Sequence, residues 1–233
     1  MTPTNEVDMT VPSVIDLSHH NSDPDFAKVA SAGVVGIFHK ATQGTSYVDP
    51  KFAARRAAAE KAGLLFASYH FLEAGNVSAQ MAHYLDTVQP VYGERVCIDH
   101  EPLSGHPDPS IDDLRAAVAY LAADPRNLQV AIYSGHLIKD QVPSGAVDES
   151  LEATALWVAQ YTTASAPSWP KATWPVWTLW QYTDSATVPG ITGPVDGDRF
   201  NGSNDALRRW MGPAPAPSGY TPAHGRVRGV TQG

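Results

Sequence analysis

A single cysteine, Cys97, stands in 233 residues, so no internal disulfide can staple the fold and stability must come from a core. Basic runs are missing as well. Asp and Glu outnumber Lys and Arg by 24 to 16, for a net charge of -8, which excludes duplex nucleic acid as the main partner because phosphate binding needs basic stripes. No stretch approaches the ~20 apolar residues of a membrane span. Residues 1–13 carry neither the basic nor the apolar segment of a secretory signal. The expectation is a soluble monomer with no membrane partner, held in the cytoplasm until released or exported by a non-classical route. Charge is sparse, at 17% of residues against ~25% in an average globular chain. Apolar residues reach 43%, too many for a disordered chain. Tryptophan is absent until Trp157, and all six tryptophans follow from there. That skew hints at a sticky surface in the C-terminal third, although core packing is the default for any one of them.

What is present is alternation. Short apolar runs at 14–16, 34–39, 64–71, 96–99, 128–133, 156–160 and 176–181 read as strands, with an eighth near Val195. Helical stretches separate the early ones. The first runs over 25–32 and is stopped by Gly33; the second opens at Asp49-Pro50, read as an N-cap with proline at the first helical position, and ends at Gly63. A third covers 78–89, and Ser110 with Asp113 makes a capping box in front of Leu114, Val118 and Leu121. The later strands lack long helices between them, and a closing helix covers 204–211.

Strand–helix alternation implies an α/β fold with a mostly parallel sheet, and about eight strands in ~200 residues point to a closed, TIM-barrel-like β/α barrel, irregular in its second half. A doubly wound open sheet would carry a glycine-rich loop after the first strand, and Leu17-Ser18-His19-His20 is not one. The organisation read from composition is an N-terminal extension over 1–12, a catalytic domain over 13–212 and a disordered Pro/Gly-rich tail over 213–233.

Barrels of this kind keep their chemistry at the C-terminal strand ends. Those ends carry Asp16, His39-Lys40, Tyr69-His70, Asp99-His100-Glu101, Tyr133-Ser134, Gln160-Tyr161, Gln181-Tyr182, and Asp196 with Asp198. Asp99 and Glu101, two apart in extended chain, leave on the same face. Two carboxylates so close cannot both ionise freely, so one keeps a proton as general acid while the other stays anionic. Split carboxylates are the equipment of glycoside hydrolysis. An Asp-x-Glu pair can also be a solvated loop; its place between an apolar strand and Pro102 favours a site. The aromatic group Trp174, Trp177, Trp180 and Tyr182 suits the apolar faces of sugar rings.

Competing chemistries fit less well. His19, His20, His39, His70 and His100 with Asp16 could form a zinc site, but no His-Glu-x-x-His or His-x-His spacing occurs, and neutral hydrogen-bonding histidines are the preferred reading. His83 reads as structural. Neither a Gly-x-Ser-x-Gly nor a Ser-x-x-Lys nucleophile sits in a strand–turn–helix setting, and Cys97, inside a strand, reads as a small core residue.

Beyond these inferences, an ordered series of motifs resembles the family 25 glycoside hydrolases, the N,O-diacetylmuramidase type of lysozyme of bacteria and phages. The series is Ile15-Asp16-Leu17-Ser18-His19, Lys40-Ala41-Thr42-Gln43-Gly44, Tyr47-Val48-Asp49-Pro50, Ala62-Gly63-Leu64, Ser68-Tyr69-His70-Phe71, Ala79-Gln80, Asp99-His100-Glu101, Trp157-Val158-Ala159-Gln160-Tyr161, Trp180-Gln181-Tyr182, Val188-Pro189-Gly190-Ile191 and Val195-Asp196. The resemblance implies a flattened barrel that cleaves the β-1,4 bond between N-acetylmuramic acid and N-acetylglucosamine in peptidoglycan, without metal or organic cofactor. It implies Glu101 as proton donor and Asp99 as the group that steadies the substrate's own acetamido during attack. It implies Asp16 and Asp196 as supporting acids and Tyr69, Tyr133, Trp157 and Trp180 as the groove lining, to which the aromatic group adds Tyr182. The sequence departs from the family pattern at Gln43, where Glu is usual, and at Asp198, where Asn is usual; His100 fills the variable middle of Asp-x-Glu, and the loop 102–109 is unusually rich in proline. A wall-binding module without catalysis and a metal-dependent wall amidase are the alternatives. A wall substrate without a visible signal fits an endolysin.

Overall fold

Fifteen elements cover residues 11–221, the part of the chain that the computed structural model describes. In chain order they are β1 (Val14–Leu17), α1 (Phe26–Ser31), β2 (Gly36–Gln43), β3 (Tyr47–Val48), α2 (Phe52–Lys61), β4 (Leu65–Phe71), α3 (Val77–Val88), β5 (Arg95–Asp99), α4 (Ile111–Ala122), β6 (Gln129–Ser134), α5 (His136–Gln141), β7 (Ala155–Ala159), β8 (Leu179–Ala186), β9 (Val195–Phe200) and α6 (Asn204–Met211).

The sheet runs β1-β9-β8-β7-β6-β5-β4-β2-β3, and β1 also pairs with β2, so eight strands close into a barrel with β3 as an appended hairpin strand. Neighbours from β1 through β2 and β4 to β8 pair in parallel. Only β9 runs against both of its neighbours. The expected irregular β/α barrel is therefore what forms.

Side chains alternate across the barrel wall, as strand geometry dictates. Val14, Phe38, Ala67, Cys97, Ala131, Trp157 and Leu179 meet inside. Ile15, Ile37, Phe66, Ile98, Ile132, Leu156 and Trp180 face the layer shared with helix residues such as Met81, Leu85, Leu114 and Leu121. Cys97 is buried and unbridged, a core residue of the interior. Helix α6 closes the N-terminal mouth: Leu207 and Met211 join the interior cluster. The Met211 thioether packs directly on the backbone of Gly36, in the space that a Cβ would take. The opposite mouth, where the parallel strands end, stays open.

Local signals hold for several helices. Ser110 and Asp113 form the reciprocal box, Asp113 N donating to Ser110 Oγ at 3.1 Å and Ser110 N to Asp113 Oδ2 at 2.8 Å. Asp25 caps α1, and Gly33 follows it at φ +105°. Some boundaries differ from the sequence reading, and β2, read over 34–39, runs on to Gln43. Helix α2 starts at Phe52 with Lys51 as its N-cap; Asp49 stands just ahead of it with its carboxylate shared, Oδ1 accepting Lys51 N at 2.9 Å and Oδ2 accepting His19 N from the loop after β1 at 2.8 Å. Strand β8 begins at Leu179, not Val176, which is exposed; Thr178 N turns the chain onto Leu156 O, and pairing with β9 extends the strand to Ala186. In the second half α5 has six residues, and no helix joins β7 to β8 or β8 to β9 among the described residues. At the start of the Pro/Gly-rich tail, Ala214 N donates to Gly93 O at 3.0 Å, and the Tyr220 ring lies against Tyr92, centroids 4.7 Å apart. Residues 1–10 and 222–233, which include most of the supposed N-terminal extension and the end of the tail, lie outside the described residues.

Candidate active site

The open mouth of the barrel holds a cavity of about 140 Å3 lined by Asp16, Tyr69, Asp99, Glu101, Tyr133, Trp157, Tyr161, Gln181 and Asp196. That is smaller than the 300–1,000 Å3 of pockets that engulf a small ligand whole, so it suits one ring-sized part of a longer molecule. Strand parity explains the membership. Asp99 ends β5 on the inner face with Cys97 beneath it, and Glu101 follows two residues later. Tyr69 of β4, Tyr133 of β6 and Trp157 of β7 share that face.

Strand direction explains the remaining acids. Because β9 is antiparallel, its first inward residue reaches the mouth: Asp196 pairs with Asp16, while Asp198 pairs with Val14, one layer deeper. Asp198 is fully buried and accepts the Trp157 indole N–H at 2.7 Å.

A hydrogen-bonded hub crosses the floor. Tyr133 and Tyr161 hydroxyls both donate to Gln181 Oε1, at 2.9 and 3.0 Å, and Gln181 Nε2 donates to Asp16 Oδ2 at 2.9 Å. This fixes the amide and leaves both phenol rings facing the cavity. Gln181 and Tyr161, which the sequence offers as strand ends and motif members without a site role, both line the cavity; two-residue alternation from Leu179 is the signal that places Gln181 inside.

Electrostatics at the mouth favour retained protons. Burial holds the carboxyls of Asp16, Asp99 and Asp198 well above the usual range, reinforced by neighbouring charge: Asp198 and Asp196 on Asp16, Glu101 on Asp99, Asp196 on Asp198. Burial also raises Glu101 and Asp196. Lys40, at the end of β2, opposes the rise at Asp99 and Glu101. Its ammonium donates to Gln43 Oε1 at 2.6 Å and lies 4.7 Å from the Phe71 ring centre. Gln43 Nε2 in turn donates to Glu73 Oε1 at 2.9 Å. Asp99 Oδ1 is buried and makes no hydrogen bond.

Two expected groove residues lie elsewhere. Trp180, only 3% exposed, packs in the outer layer, its indole N–H on Gln160 O at 2.8 Å. Tyr182 stands beside it on the same outer face, with the Arg199 guanidinium over both rings. Trp174 and Trp177 are core residues of that layer too, so the late tryptophans serve packing, with Trp157 alone among them lining the cavity. The strand-end histidines also face away from the acids. His39 bonds Lys40 O, His70 bonds Thr42 and Gln80, and His100 bonds Gln141. Burial depresses all three imidazoles, His39 and His70 to about 4. His19 sits on Asp49 at 3.1 Å, and among the described residues no three His, Cys, Asp or Glu converge to hold a metal.

Carboxylates under aromatic walls at the C-terminal mouth of a β/α barrel are an arrangement that suits glycoside hydrolysis. Comparison with known proteins agrees: residues 15–191 match the profile of Glycosyl hydrolases family 25, and the chain belongs to that family. Lysozyme M1 of Streptomyces globisporus is 29% identical over 205 residues, 81% of this chain and 67% of that protein. The autolytic lysozyme of Clostridium acetobutylicum is 30% identical over 191 residues, 80% of this chain; the chain spans 55% of that protein's length. The crystal structure of the bacterial lysozyme from Streptomyces coelicolor superposes with a TM-score of 0.76 at 27% identity, covering 88% of this chain and 98% of that one. These relatives place the chain among the lysozyme-type glycoside hydrolases. No helix among the described residues is long and apolar enough to cross a membrane.

Proposed function

We infer that the enzyme is a muramidase, cleaving the β-1,4 bond between N-acetylmuramic acid and N-acetylglucosamine in the glycan strands of peptidoglycan. The observation that carries this reading is the arrangement at the end of β5. Glu101 is half-buried at the cavity wall, and beneath it lies Asp99, with a buried carboxylate oxygen that has no partner. A buried acceptor without a donor is costly unless something supplies one. The N–H of a substrate acetamido group is the right donor. Held there, the acetamido carbonyl oxygen attacks its own anomeric carbon while Glu101 gives its proton to the departing glycosidic oxygen. The resulting cyclic intermediate is opened by a water that Glu101, now a base, deprotonates; configuration is retained, by the substrate-assisted route.

Both carboxyls of the pair are raised, and the more buried Asp99 competes for the proton in the free enzyme. An N–H donor arriving at Asp99 Oδ1 favours its ionised form, as Lys40 already does. Substrate binding therefore moves the proton onto Glu101, where the chemistry needs it. Tyr69, Tyr133, Trp157 and Tyr161 offer ring faces and edges to the sugar, and Asp16 and Asp196 face its hydroxyls.

The test is product analysis on purified peptidoglycan. New reducing ends, trapped by borohydride, are expected to be muramic acid. Ends of glucosamine would refute the bond assignment, free amines without reducing ends would indicate an amidase, and binding without turnover would indicate a wall-binding module.

A further inference from the structure

A second cavity, of about 100 Å3, lies against the same strand ends as the first. Leu72, in its wall, donates its backbone N–H to Asp99 O at 2.9 Å, so the two cavities share one layer of backbone. Leu72, Leu103, Pro107 and Pro109 make its apolar sides; Glu73 and His106 are its polar groups. The site is built rather than incidental. The buried Gln80 clamps the Glu73 backbone, accepting Glu73 N at 3.0 Å and donating to Glu73 O at 2.8 Å. Gln43 holds Glu73 Oε1, and at Gly44, φ +53°, any side chain would meet Glu73 Oε2 at 2.6 Å. The opposite wall is stiffened by two prolines whose φ is fixed.

We propose that this cavity binds a primary ammonium carried on an apolar stem, the side chain of a diamino acid in the peptide attached to the glycan. Glu73 lines the cavity with its carboxylate anchored beside the apolar wall, on Gln43, and a carboxylate next to an apolar surface selects a cation with a hydrocarbon stem over a neutral or anionic group. Lys40 does not satisfy that role: it faces Asp99, Asp49 and Glu101 as well as Glu73, one cation among four carboxylates. The position fits the covalent chemistry of the substrate, because the peptide hangs from the muramic ring that the neighbouring cavity would hold. The site thus adds recognition of the stem to recognition of the glycan, and it rests on the muramidase reading.

Three forms of one peptidoglycan separate these ideas: stems with free side-chain amines, the same material with its amines acetylated, and glycan stripped of peptide. Wild-type kcat/KM is expected to fall about tenfold on acetylation, the size of one charge-assisted contact, mainly through KM. Glu73→Gln is expected to abolish the difference between the first two forms. Equal wild-type rates on free and acetylated amines would overturn the proposal. So would a Glu73→Gln loss of the same proportion on all three forms, since that is the mark of a structural role. Failure of the wild type to cleave any of the three would instead overturn the muramidase reading itself.

Discussion

Replacing Asp198 by asparagine makes a pH-dependent prediction whose sign comes directly from burial. The wild-type carboxyl is fully buried against the Trp157 indole and the Asp16 carboxyl, and burial, then the Asp196 charge, hold it well above its ordinary 3.8. A carboxyl raised on folding contributes stability that is complete below 3.8 and is lost as pH rises through the folded value. Each pH unit in that window is worth up to about 1.4 kcal/mol. Asparagine keeps an acceptor for Trp157 and offers an N–H towards Asp16 without titrating. The variant's stability relative to wild type should therefore grow by more than about 1.4 kcal/mol between pH 4 and pH 7. The comparison must be a difference, because His39, His70 and His100 pull the other way. Their depressed imidazoles cost stability as pH falls below 6.5, in both proteins alike. Urea denaturation at several pH values gives the two curves. The difference reports the coupled Asp198 and Asp16 carboxyls together. A gap that stays constant with pH would refute the reasoning.

Two substitutions separate packing from recognition among the aromatics. Trp180→Ala should destabilise the protein by about 3–5 kcal/mol, as removal of a buried indole does, read as a lower denaturation midpoint; Trp180→Phe should leave KM unchanged. Tyr161, 55% exposed at the cavity rim, should behave in the opposite way. Tyr161→Ala is expected to raise KM about fivefold, the worth of roughly 1 kcal/mol of ring contact, with little change in midpoint.

The first half of the barrel was legible because each strand there is a short apolar run followed by an amphipathic helix with a readable start or stop, such as Ser110 with Asp113 or Gly33. Asp99 and Glu101 were legible for a related reason: two-residue spacing fixes a common face without any knowledge of the neighbours. What escaped the sequence depends on direction and partners. The antiparallel run of β9, which brings Asp196 to the mouth and sinks Asp198, is set by pairing with β1 and β8 and leaves no local mark. Asp49-Pro50 has the form of a helix start, and Asp49 Oδ1 does accept Lys51 N, but Oδ2 goes to the His19 loop, a partner that no local pattern announces. Trp180 and Tyr182 read as groove residues because aromatics near strand ends invite that reading. Counting two by two from Leu179 would have put both outside the barrel and Gln181 within.

The central claim is that Glu101 supplies the proton. The most direct measurement is kcat of Glu101→Gln on peptidoglycan, alongside its denaturation midpoint. Glutamine keeps the shape but has no proton to give up to the leaving oxygen, so kcat should fall by about 10²–10⁴-fold while the fold stays as stable as the wild type or gains slightly, since a raised carboxyl is removed. A Glu101→Gln enzyme that keeps kcat near the wild-type value would contradict the account.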